Sequence, residues 1–499
     1  MDRRLNSNDE PVRFRIDATR CDGQGVCVLV APELFALDRY GLGLVIPGSE
    51  KLADHPEVRA RGLEADALCP RNAIREDPVP PARVTPVPSS SLGAVGAQRP
   101  RLLLDRPESV ARWQERGGWA EHDPSALIDL VERAGIRGQG GAAFPTAEKW
   151  RRLAGATRPI VLVNGAEREP GTVKDRYLIS SRPGLVLDGI RLASRAIGAA
   201  EAIIAVDEDS TAEHDALSAA ITEAAGHGLL DGLEIRVHKV PARYVAGEET
   251  ALINVLNGGP ALPRLRPPFP SDAGVSGRPT LVQNVETLAQ VALAAALGVE
   301  EFRSVGVPDA PGTGLFSVGR FGGSCRVTER PYGYSLCALL AETGLLDGVR
   351  AVLVGGYAGG LVGLDALDVP LAPAALAAAG ASLGTKSVQV IDRCPVGVAA
   401  QIVGYFGAES AGQCPPCSRG LPDMAALLRD LEAGVHGGEA AAELERFMGT
   451  LSGRGVCRLP DGAARVTLSL LAGFRDEVEA HIVAGCPSPG TGAFPAADD

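Results

Sequence analysis

The sequence predicts a multidomain protein of mixed α/β and α+β fold. A chain of 499 residues is too long for one hydrophobic core, so several domains are expected. Strand-like and helix-like segments alternate through residues 105–300, which predicts an α/β domain with a largely parallel sheet. Two sets of cysteines, one near each end of the chain, indicate metal-binding modules on either side of that domain.

The composition excludes several classes of protein. The formal charge is −12 and aromatic residues make up 4%, which argues against a general nucleic-acid binder. No stretch approaches the 18 or so uninterrupted apolar residues that a membrane span needs. The first residues are polar and lack the apolar core of a signal peptide, so we expect a cytoplasmic protein with no membrane span. Its ten cysteines are then expected to be metal ligands or free thiols.

Residues 1–77 form the first predicted domain. Alternating and apolar segments predict two strands, and apolar spacing predicts two helices. The strands are expected at 12–17 and 44–46, and the helices at 31–35 and 56–68. Residues 78–104 are rich in Pro, Ser and Ala without a hydrophobic period, which is typical of a linker.

Three further regions follow the linker. In the α/β domain at 105–300, strands are expected at 159–164 and 202–207, with a helix at 184–197. Residues 305–370 predict a small α+β module, with strands at 315–319, 325–328, 335–340 and 351–355 around one helix. Residues 390–485 predict a helical domain, with helices at 399–406, 421–431, 440–451 and 463–482. A flexible tail is expected at 486–499.

The first cysteine set comprises Cys21, Cys27 and Cys69. Four thiolates usually hold a four-iron cluster, but Gln24 stands three residues before Cys27, where a fourth cysteine would be. Gly23 and Gly25 would let backbone amides approach cluster sulfides closely. A structural zinc site and three unrelated buried cysteines are the alternatives, although zinc prefers four ligands and His55 is the one histidine near this loop.

The second cysteine set comprises Cys414, Cys417 and, after 39 further residues, Cys457. Ala411, which offers no donor atom, stands three residues before Cys414. Cys394 is a candidate substitute for the missing ligand, and a degenerate site retained as packing is the other alternative. We expect core or surface positions for the remaining cysteines, Cys325, Cys337 and Cys486.

A Gly-rich loop at 137–146 contains three glycines whose backbone amides can approach a phosphate or a flavin, with Lys149 nearby. Polar segments punctuated by Gly and Pro follow at 164–176, 244–252, 263–269 and 280–287. Each segment alone is more typical of a capped turn. Together they favour a ligand site built from loops.

Residues 12–77 resemble the small single-cluster bacterial ferredoxins that are found with cytochromes P450. The match rests on Asp17-x₃-Cys21-x₅-Cys27, Ala31-Pro-Glu-Leu-Phe35 and Cys69-Pro70-x₂-Ala73-Ile74. Members of that family with a residue other than Cys at the Gln24 position generally hold a [3Fe–4S] cluster. The resemblance therefore implies such a cluster on Cys21, Cys27 and Cys69.

Residues 105–485 resemble the flavin-bearing F component of the NADH:quinone oxidoreductase complex I and its relatives in soluble hydrogenases and formate dehydrogenases. The resemblance rests on the Gly-rich loop and the polar segments in their order, and on the stretch from Glu409 to Gly420. It implies a Rossmann-like FMN domain, a β-grasp (soluble-ligand-binding) module and a C-terminal helical bundle after the ferredoxin-like domain. It also implies a [4Fe–4S] or [3Fe–4S] cluster on Cys414, Cys417 and Cys457.

The same resemblance implies the residues that contact cofactor and substrate, and it implies no catalytic acid or base. Contacts with FMN would fall on Gly138, Gly140, Gly141, Lys149, Asn164, Glu167, Gly247, Glu248 and Asn284. Contacts with the nicotinamide nucleotide would fall on Phe144, Glu169, Tyr244, Glu249 and Phe269.

Several positions depart from the family pattern. Ala166 replaces an Asp that helps to hold the flavin's ribityl chain, and Arg168 replaces a neighbouring Gly. Arg152 stands where a second stacking Phe is expected. The other replacements are Ala143 for Gly, Arg266 for Lys and Gln283 for Asn. Arg152 and Arg168 raise the hypothesis of NADPH in place of NADH.

The function predicted from these features is an electron-transfer flavo-iron–sulfur oxidoreductase that acts between NAD(P)H and a one-electron acceptor. The expected partners are a nicotinamide nucleotide and a redox protein, such as a ferredoxin, a P450 or another oxidoreductase subunit. The alternatives are a flavin-free iron–sulfur protein and a non-catalytic scaffold of a larger complex.

Overall fold

The computed structural model describes residues 12–16, 21, 23–37, 43–46, 49, 52, 55–69, 73–78, 101–435 and 437–486. Asp17 lies outside these residues. So do residues 79–100, which make up most of the predicted linker, and the tail after Cys486. The chain divides into two compact units, one formed by the N-terminal residues up to 84 and the other by nearly all of the chain that follows. Each unit has its own core.

The N-terminal unit contains two small antiparallel strand pairs and two helices. Its elements are β1 (Val12–Ile16), α1 (Val26–Val30), β2 (Phe35–Leu37), β3 (Gly43–Val45), α2 (Pro56–Leu68) and β4 (Ile74–Pro78). β1 pairs with β4, and β2 pairs with β3. The rings of Phe14 and Phe35 meet edge-on in its core, with centroids 5.9 Å apart.

The helix predicted at 31–35 is wrong. The helix in this part of the unit is α1, which ends at Val30, and residues 32–34 form a turn that leads into β2. Pro32 disfavours helical backbone at the residue before it, and Ala31 has φ −137° and ψ 67°. The helix predicted at 56–68 is confirmed as α2.

A four-stranded parallel sheet forms the centre of the first part of the large unit. Its strands are β5 (Ile160–Asn164), β6 (Glu201–Asp207), β7 (Glu234–Val240) and β8 (Thr280–Asn284). The spatial order is β7-β6-β5-β8, and all three pairings are parallel. The chain therefore moves outward from β5 to β7 and then returns to place β8 on the other side of β5. Such a reversal opens a crevice at the carboxyl ends of β5 and β8, between which the strand order reverses.

Helices pack against this sheet. They are α3 (Val110–Glu115), α4 (Pro124–Ala134), α5 (Thr146–Arg151), α6 (Lys174–Ser181), α7 (Pro183–Ile197), α8 (Thr211–Gly226), α9 (Glu249–Leu256), α10 (Val285–Leu297) and α11 (Val299–Arg303). The packing between α7 and α10 is close, because a Cβ added at Gly189 would lie 2.1 Å from the backbone oxygen of Leu288. The strands and the helix predicted in this region are confirmed to within one residue at each end.

A second, mixed sheet follows. After the short pair β9 (Gly306–Val307) and β10 (Ala310–Pro311), its strands are β11 (Thr313–Arg320), β12 (Cys325–Pro331), β13 (Ala351–Val354), β14 (Gly360–Val362) and β15 (Ser387–Ile391). The order is β12-β11-β15-β13-β14, with β11 and β15 parallel. β15 extends the sheet beyond residue 370, where the predicted module ended.

Two helices accompany this sheet, α12 (Leu336–Glu342) and α13 (Pro373–Ala378). The strand predicted at 335–340 is wrong, because these residues begin α12. The Ser335 hydroxyl accepts a hydrogen bond from the Ala338 backbone amide and caps the helix. Leu336, Leu339 and Leu340 are buried, which is helical rather than alternating spacing.

The remaining elements are helices: α14 (Pro395–Glu409), α15 (Leu421–Ala433), α16 (Gly437–Leu451), α17 (Leu459–Gly473) and α18 (Arg475–Ala484). The single helix predicted at 463–482 is wrong, because the chain leaves helical geometry at Phe474, with φ −131° and ψ 43°. Across the described ranges, no helix combines the length and apolar character needed to cross a membrane.

Candidate functional site

The carboxyl ends of β5 and β8 bring two predicted site residues together. Asn164 and Asn284 are the last residues of these strands and lie opposite each other in the parallel register. The Asn164 side-chain amide donates to the Gly247 carbonyl at 2.8 Å. Asn284 caps α10 by accepting from the Glu286 amide at 3.0 Å. Both amide side chains are therefore fixed at the edge where ligands bind in such sheets.

The predicted Gly-rich loop meets this same edge. A Cβ added at Gly140 would lie 3.4 Å from Cβ of Asn284, and Gly141 has φ +108°, which L side chains rarely adopt. The loop is anchored to α10, because the Gln139 amide donates to the Thr287 hydroxyl at 2.8 Å. Side-chain-free backbone over a strand edge suits the phosphate or ring of a flavin nucleotide.

A third segment, a 3₁₀ turn at Tyr244–Gly247 that leads into α9, completes the edge. The Glu248 carboxylate caps α9 by accepting from the amides of Thr250 at 2.8 Å and Ala251 at 3.0 Å. A Cβ added at Gly247 would lie 3.6 Å from the Ala166 carbonyl. The turn therefore approaches the end of β5 about as closely as the Gly-rich loop approaches the end of β8.

Charged side chains line this region in pairs. The Lys149 ammonium lies 3.2 Å from the Glu249 carboxylate and also donates to the Val282 carbonyl at 2.9 Å. Arg266 bridges Glu248 at 2.7 Å and Glu249 at 3.1 Å. The Arg that replaces the family's Lys thus neutralises the two predicted carboxylate contacts. Lys149 can serve an anionic group only by sharing its charge with Glu249.

The predicted cofactor contact Glu167 is buried and held by backbone. Its carboxylate accepts from the amides of Asp175 at 3.1 Å and Arg176 at 3.0 Å, in the first turn of α6. Burial, reinforced by the charge of Asp175, raises its pKa to about 7. Glu169 is also buried, which raises its pKa, and a Cβ added at Gly356 would lie 2.5 Å from its carboxylate. Glu169 therefore packs against the second sheet.

A buried network of charges beneath the edge was not predicted from the sequence. Lys174 contacts Asp175 at 2.7 Å and Glu286 at 3.2 Å, and Lys386 contacts Glu286 at 2.9 Å. The Asn284 side chain donates to Asp175 at 2.7 Å. The network thus fixes Asn284 from below. Lys174 and Asp175 lie inside the polar segment at 164–176, which was the available signal, whereas Lys386 is distant in sequence.

Two of the unusual arginines are held by neighbouring side chains. Arg168 pairs with Asp209 at 2.8 Å and donates to the Ala242 carbonyl. Arg152 pairs with Glu148 at 2.8 Å, and its guanidinium carbon lies 5.5 Å from the centre of the Phe144 ring. Arg152 therefore covers Phe144 by a cation–π contact at the position where a second aromatic was expected. Each of these guanidinium groups already has an acidic partner.

Ala143, near the end of the Gly-rich loop, adopts a backbone conformation that is unfavourable for a residue with a side chain. It has φ +49°, in the left-handed region where a glycine is unstrained. The family's Gly at this position therefore has a conformational reason, and this chain keeps a left-handed backbone there with a less suitable residue.

The three aromatic residues predicted to contact nucleotide differ in exposure. Phe144 and Phe269 are 38% and 46% exposed, so their rings are accessible for stacking. Tyr244 instead packs against Tyr405 and Phe406 of α14, with ring centroids 5.8 Å and 5.6 Å away. Tyr244 is therefore an anchor between the sheet edge and the helical domain.

The second cysteine set converges in the helical domain. Cys414, Cys417 and Cys457 are buried. Burial raises the pKa of the Cys417 thiol, and the neighbouring Cys414 and Cys457 raise it further. Three soft thiol donors that face one another fit an iron–sulfur cluster. Cys394, the candidate substitute for the missing ligand, groups with His481 and Cys486, and its sulfur lies 3.2 Å from Nε2 of His481.

The sheet edge and the second cysteine set are neighbours. Burial raises the pKa of Cys457, and the charge of Glu248 adds to that increase. The pKa of Tyr244 lies well above its usual value because of burial, with contributions from Glu169 and Cys457. The segment from Tyr244 to Glu248 lies at both places, because Tyr244 packs against the buried cluster that contains Cys414, Cys417 and Cys457, and Gly247 accepts from Asn164 at the sheet edge.

The first cysteine set converges in the N-terminal unit. A Cβ added at Gly43 would lie 3.4 Å from the sulfur of Cys27 and 3.5 Å from that of Cys21. The Gly43 amide donates to the Cys21 sulfur at 3.1 Å, and the Ala73 amide donates to the Cys69 sulfur at 3.3 Å. Backbone donors at soft ligands again fit an iron–sulfur cluster. Gly43 was not predicted, because nothing in its local sequence connects it with the distant cysteines.

Three family models match the chain. They are the Nuo51 FMN-binding domain at residues 131–293, the NADH-ubiquinone oxidoreductase-F iron-sulfur binding region at 397–481 and a 4Fe-4S single cluster domain at 14–75. The first match contains the sheet edge with the Gly-rich loop. The second contains Cys414, Cys417 and Cys457, and the third contains Cys21, Cys27 and Cys69.

Curated proteins of similar sequence include the F component of NADH-quinone oxidoreductase in Streptomyces coelicolor, which is 37% identical over 380 residues, covering 73% of this chain and 85% of that protein. The second F component of Rhizobium meliloti is 36% identical over 383 residues, covering 74% and 91%. Among solved structures, an NAD⁺-reducing [NiFe]-hydrogenase in the H₂-reduced state superposes with a TM-score of 0.71 at 27% identity, covering 96% of this chain and 86% of that chain.

Replacing Gly43 by Ala tests the cluster site of the N-terminal unit. The added methyl would lie 3.0 Å from Cδ1 of Ile16 and 3.4 Å and 3.5 Å from the sulfurs of Cys27 and Cys21. Because it would occupy space between the two sulfurs that a bound cluster needs, we expect the iron and sulfide content per chain to fall. Gly226→Ala is the matched control, since no atom lies within 4 Å of the added Cβ. Equal iron content in the two variants would contradict the proposed cluster position.

Proposed function

The chain belongs to the family of the NADH-quinone oxidoreductase F component, and we propose that it transfers electrons from a nicotinamide nucleotide to iron–sulfur clusters with FMN as the intermediate carrier. The relatives match across about three quarters of the chain. The observation that carries the proposal is the segment from Tyr244 to Glu248: Gly247 accepts from Asn164 at the sheet edge, and Tyr244 packs against the buried cluster that contains Cys414, Cys417 and Cys457. An electron donor and an electron acceptor site would therefore share one compact unit.

The residues at the sheet edge would hold FMN. Bound flavin supplies the conversion between two-electron hydride chemistry and one-electron transfer. Gly138, Gly140 and Gly141 would present backbone amides to the phosphate, with Lys149 sharing its charge between that phosphate and Glu249. Asn164 and Asn284 would contact the polar atoms of the cofactor from the strand ends. Glu167, Gly247 and Glu248 would support these groups rather than react.

The accessible rings would bind the nicotinamide nucleotide. Phe144 and Phe269 are exposed enough to offer faces for stacking, and Arg152 lies against one face of the Phe144 ring. The pocket that binds the nucleotide would end at Glu169, Tyr244 and Glu249. We infer a preference for NADH over NADPH, because both Arg152 and Arg168 already pair with carboxylates and so offer little uncompensated charge to a 2′-phosphate.

The second cysteine set would take electrons next. Cys414, Cys417 and Cys457 would ligate a [3Fe–4S] cluster, or a [4Fe–4S] cluster with a fourth ligand from outside the thiol set, because Ala411 has no donor atom. The buried thiols must lose their protons on binding iron, so their raised pKa values make cluster loading easier at higher pH.

The N-terminal unit would act as a tethered carrier. Its Cys21, Cys27 and Cys69 would hold a [3Fe–4S] cluster of the P450-associated ferredoxin type, and residues 78–104 would link it to the large unit. We assign the four-stranded domain as the Rossmann-like FMN domain, the mixed sheet as a β-grasp module and the C-terminal helices as the iron–sulfur domain. The final acceptor would be a cytoplasmic redox protein such as a ferredoxin, a P450 or another oxidoreductase subunit.

A second candidate function is flavin-free electron transfer as one part of a larger complex. Ala166 in place of a ribityl-binding Asp, and the strained backbone at Ala143, favour it. The two functions differ in flavin content and not in iron content.

Anaerobic purification followed by quantification of flavin, iron and sulfide tests the proposal. We expect about one FMN per chain. We also expect NADH to remove the flavin absorbance band at lower concentrations than NADPH does, because Arg152 and Arg168 already pair with carboxylates. Ala166→Asp is expected to slow loss of FMN on dilution, whereas Ala219→Asp, at an exposed position of α8, is not. Iron without flavin in both the parent protein and Ala166→Asp would favour the flavin-free function.

Replacing Gln24 by Cys tests the cluster type in the N-terminal unit. The parent protein is expected to show, when oxidised, the electron paramagnetic resonance signal of a three-iron centre. Gln24→Cys supplies a fourth thiolate and should reduce that signal by more than half, whereas Gln24→Ser should keep it. The assignment fails if the parent lacks the signal or if Gln24→Cys leaves its intensity unchanged.

A further inference from the structure

A second group of potential metal ligands lies in the helical domain, apart from the cluster cysteines. Cys394 precedes the first turn of α14, His481 lies in the last turn of α18 and Cys486 follows that helix. The two sulfurs and a ring nitrogen of His481 all lie within 4.8 Å of one another. Cys394 and His481 are buried and Cys486 is partly buried.

The spacing of these atoms suits a single ion. A tetrahedral zinc with Zn–S bonds of about 2.3 Å and Zn–N bonds of about 2.0 Å requires its ligand atoms to lie about 3.5–3.8 Å apart. The sulfur of Cys394 is 3.2 Å from Nε2 of His481, so a small outward shift would admit the ion. Ligands of an iron–sulfur cluster must lie farther apart, because several metal atoms stand between them.

Neighbouring groups orient the histidine and one cysteine. Nδ1 of His481 lies 2.7 Å from the Glu477 carbonyl and must donate to it, which leaves Nε2 without a proton and directed at Cys394. This arrangement is typical of histidines that bind metal. The Gly397 amide, in the first turn of α14, lies 3.4 Å from the Cys394 sulfur and stabilises its negative form.

Glu432 is bonded to the group through its backbone, while its carboxylate is not among the ligand atoms that lie within 4.8 Å of one another. Its backbone carbonyl accepts from the Cys486 amide at 2.8 Å, which fixes Cys486 beside α15. Its carboxylate lies against α14, since a Cβ added at Gly397 would be 2.3 Å from Oε1. A carboxylate oxygen or a water bound to it can complete a tetrahedral set.

We propose that Cys394, His481 and Cys486 bind one zinc ion, with Glu432 at the fourth position directly or through water. Two thiolates and an imidazole form a soft N/S donor set, which selects zinc over calcium or magnesium. The ion would join α14, α18 and the chain segment after α18, with α15 beside it through Glu432. The role is structural, because the site closes the helical domain and contributes no group to the sheet edge.

The full-length protein, purified anaerobically without chelators, provides the test. Zinc and iron are measured together by mass spectrometry, and the zinc coordination by X-ray absorption. We expect about one zinc per chain with two sulfur ligands in the parent protein. Cys486→Ser should raise the Kd for zinc, measured by chelator competition, at least about tenfold while leaving the iron content unchanged.

Two controls separate this site from other thiols. Cys337→Ser removes a partly buried thiol of α12 and should leave zinc unchanged. Cys414→Ser should lose iron and keep zinc, so a failure of the proposed electron-transfer function would not affect the result. Absence of zinc from the parent protein, iron at this site, or a disulfide between Cys394 and Cys486 found by peptide mapping would each overturn the proposal. X-ray absorption of the parent decides the matter even if Cys486→Ser fails to fold.

Discussion

The large unit depends on the ion pairs that Glu286 makes with Lys174 and Lys386 beneath the ends of β5 and β8. These three side chains are 0% to 1% exposed, and removal of one partner would leave an uncompensated charge at a cost of about 3–5 kcal/mol. Lys174 belongs to α6, Glu286 to α10 and Lys386 precedes β15. The two ion pairs of Glu286 therefore connect α6 and α10, beside the parallel sheet, to the start of β15 in the mixed sheet.

The positions of the side chains at the sheet edge formed by the carboxyl ends of β5 and β8 depend on these ion pairs. Asp175, paired with Lys174, accepts a hydrogen bond from Asn284, and the first turn of α10 anchors the Gly-rich loop through Thr287. A loop that must approach a ligand with bare backbone needs such a rigid support, because glycines by themselves specify no conformation. The helical domain joins the same edge by a different route, through the packing of Tyr244 on α14.

The sequence predicted features that depend on residues close together in the chain, and it missed features that depend on residues far apart in the chain. Apolar runs predicted β5 and β6 correctly because buried parallel strands need no partner-specific signal. The same apolar spacing misassigned 335–340, since a seven-residue helix and a buried strand differ little until the Ser335 cap is considered.

Motif spacing predicted the cysteine sets and the glycine loop. Lys386 and Gly43 could not be predicted, because each acts only through residues brought near by the tertiary fold. Cys486 was expected to have no ligand role for the same reason, since only the fold brings it beside Cys394.

The central claim is that the segment from Tyr244 to Glu248 joins an electron-donating site to the second cysteine set. Rapid mixing of the anaerobic protein with NADH, followed by freeze-quenching and electron paramagnetic resonance, tests it most directly. The claim predicts that the signal of the second cluster changes as the flavin band is lost: a reduced signal appears if the cluster is [4Fe–4S], and an oxidised signal disappears if it is [3Fe–4S]. Cys457→Ser should abolish this change while the flavin band is still lost. Complete loss of the flavin band in the parent protein, with every cluster still oxidised, would contradict it.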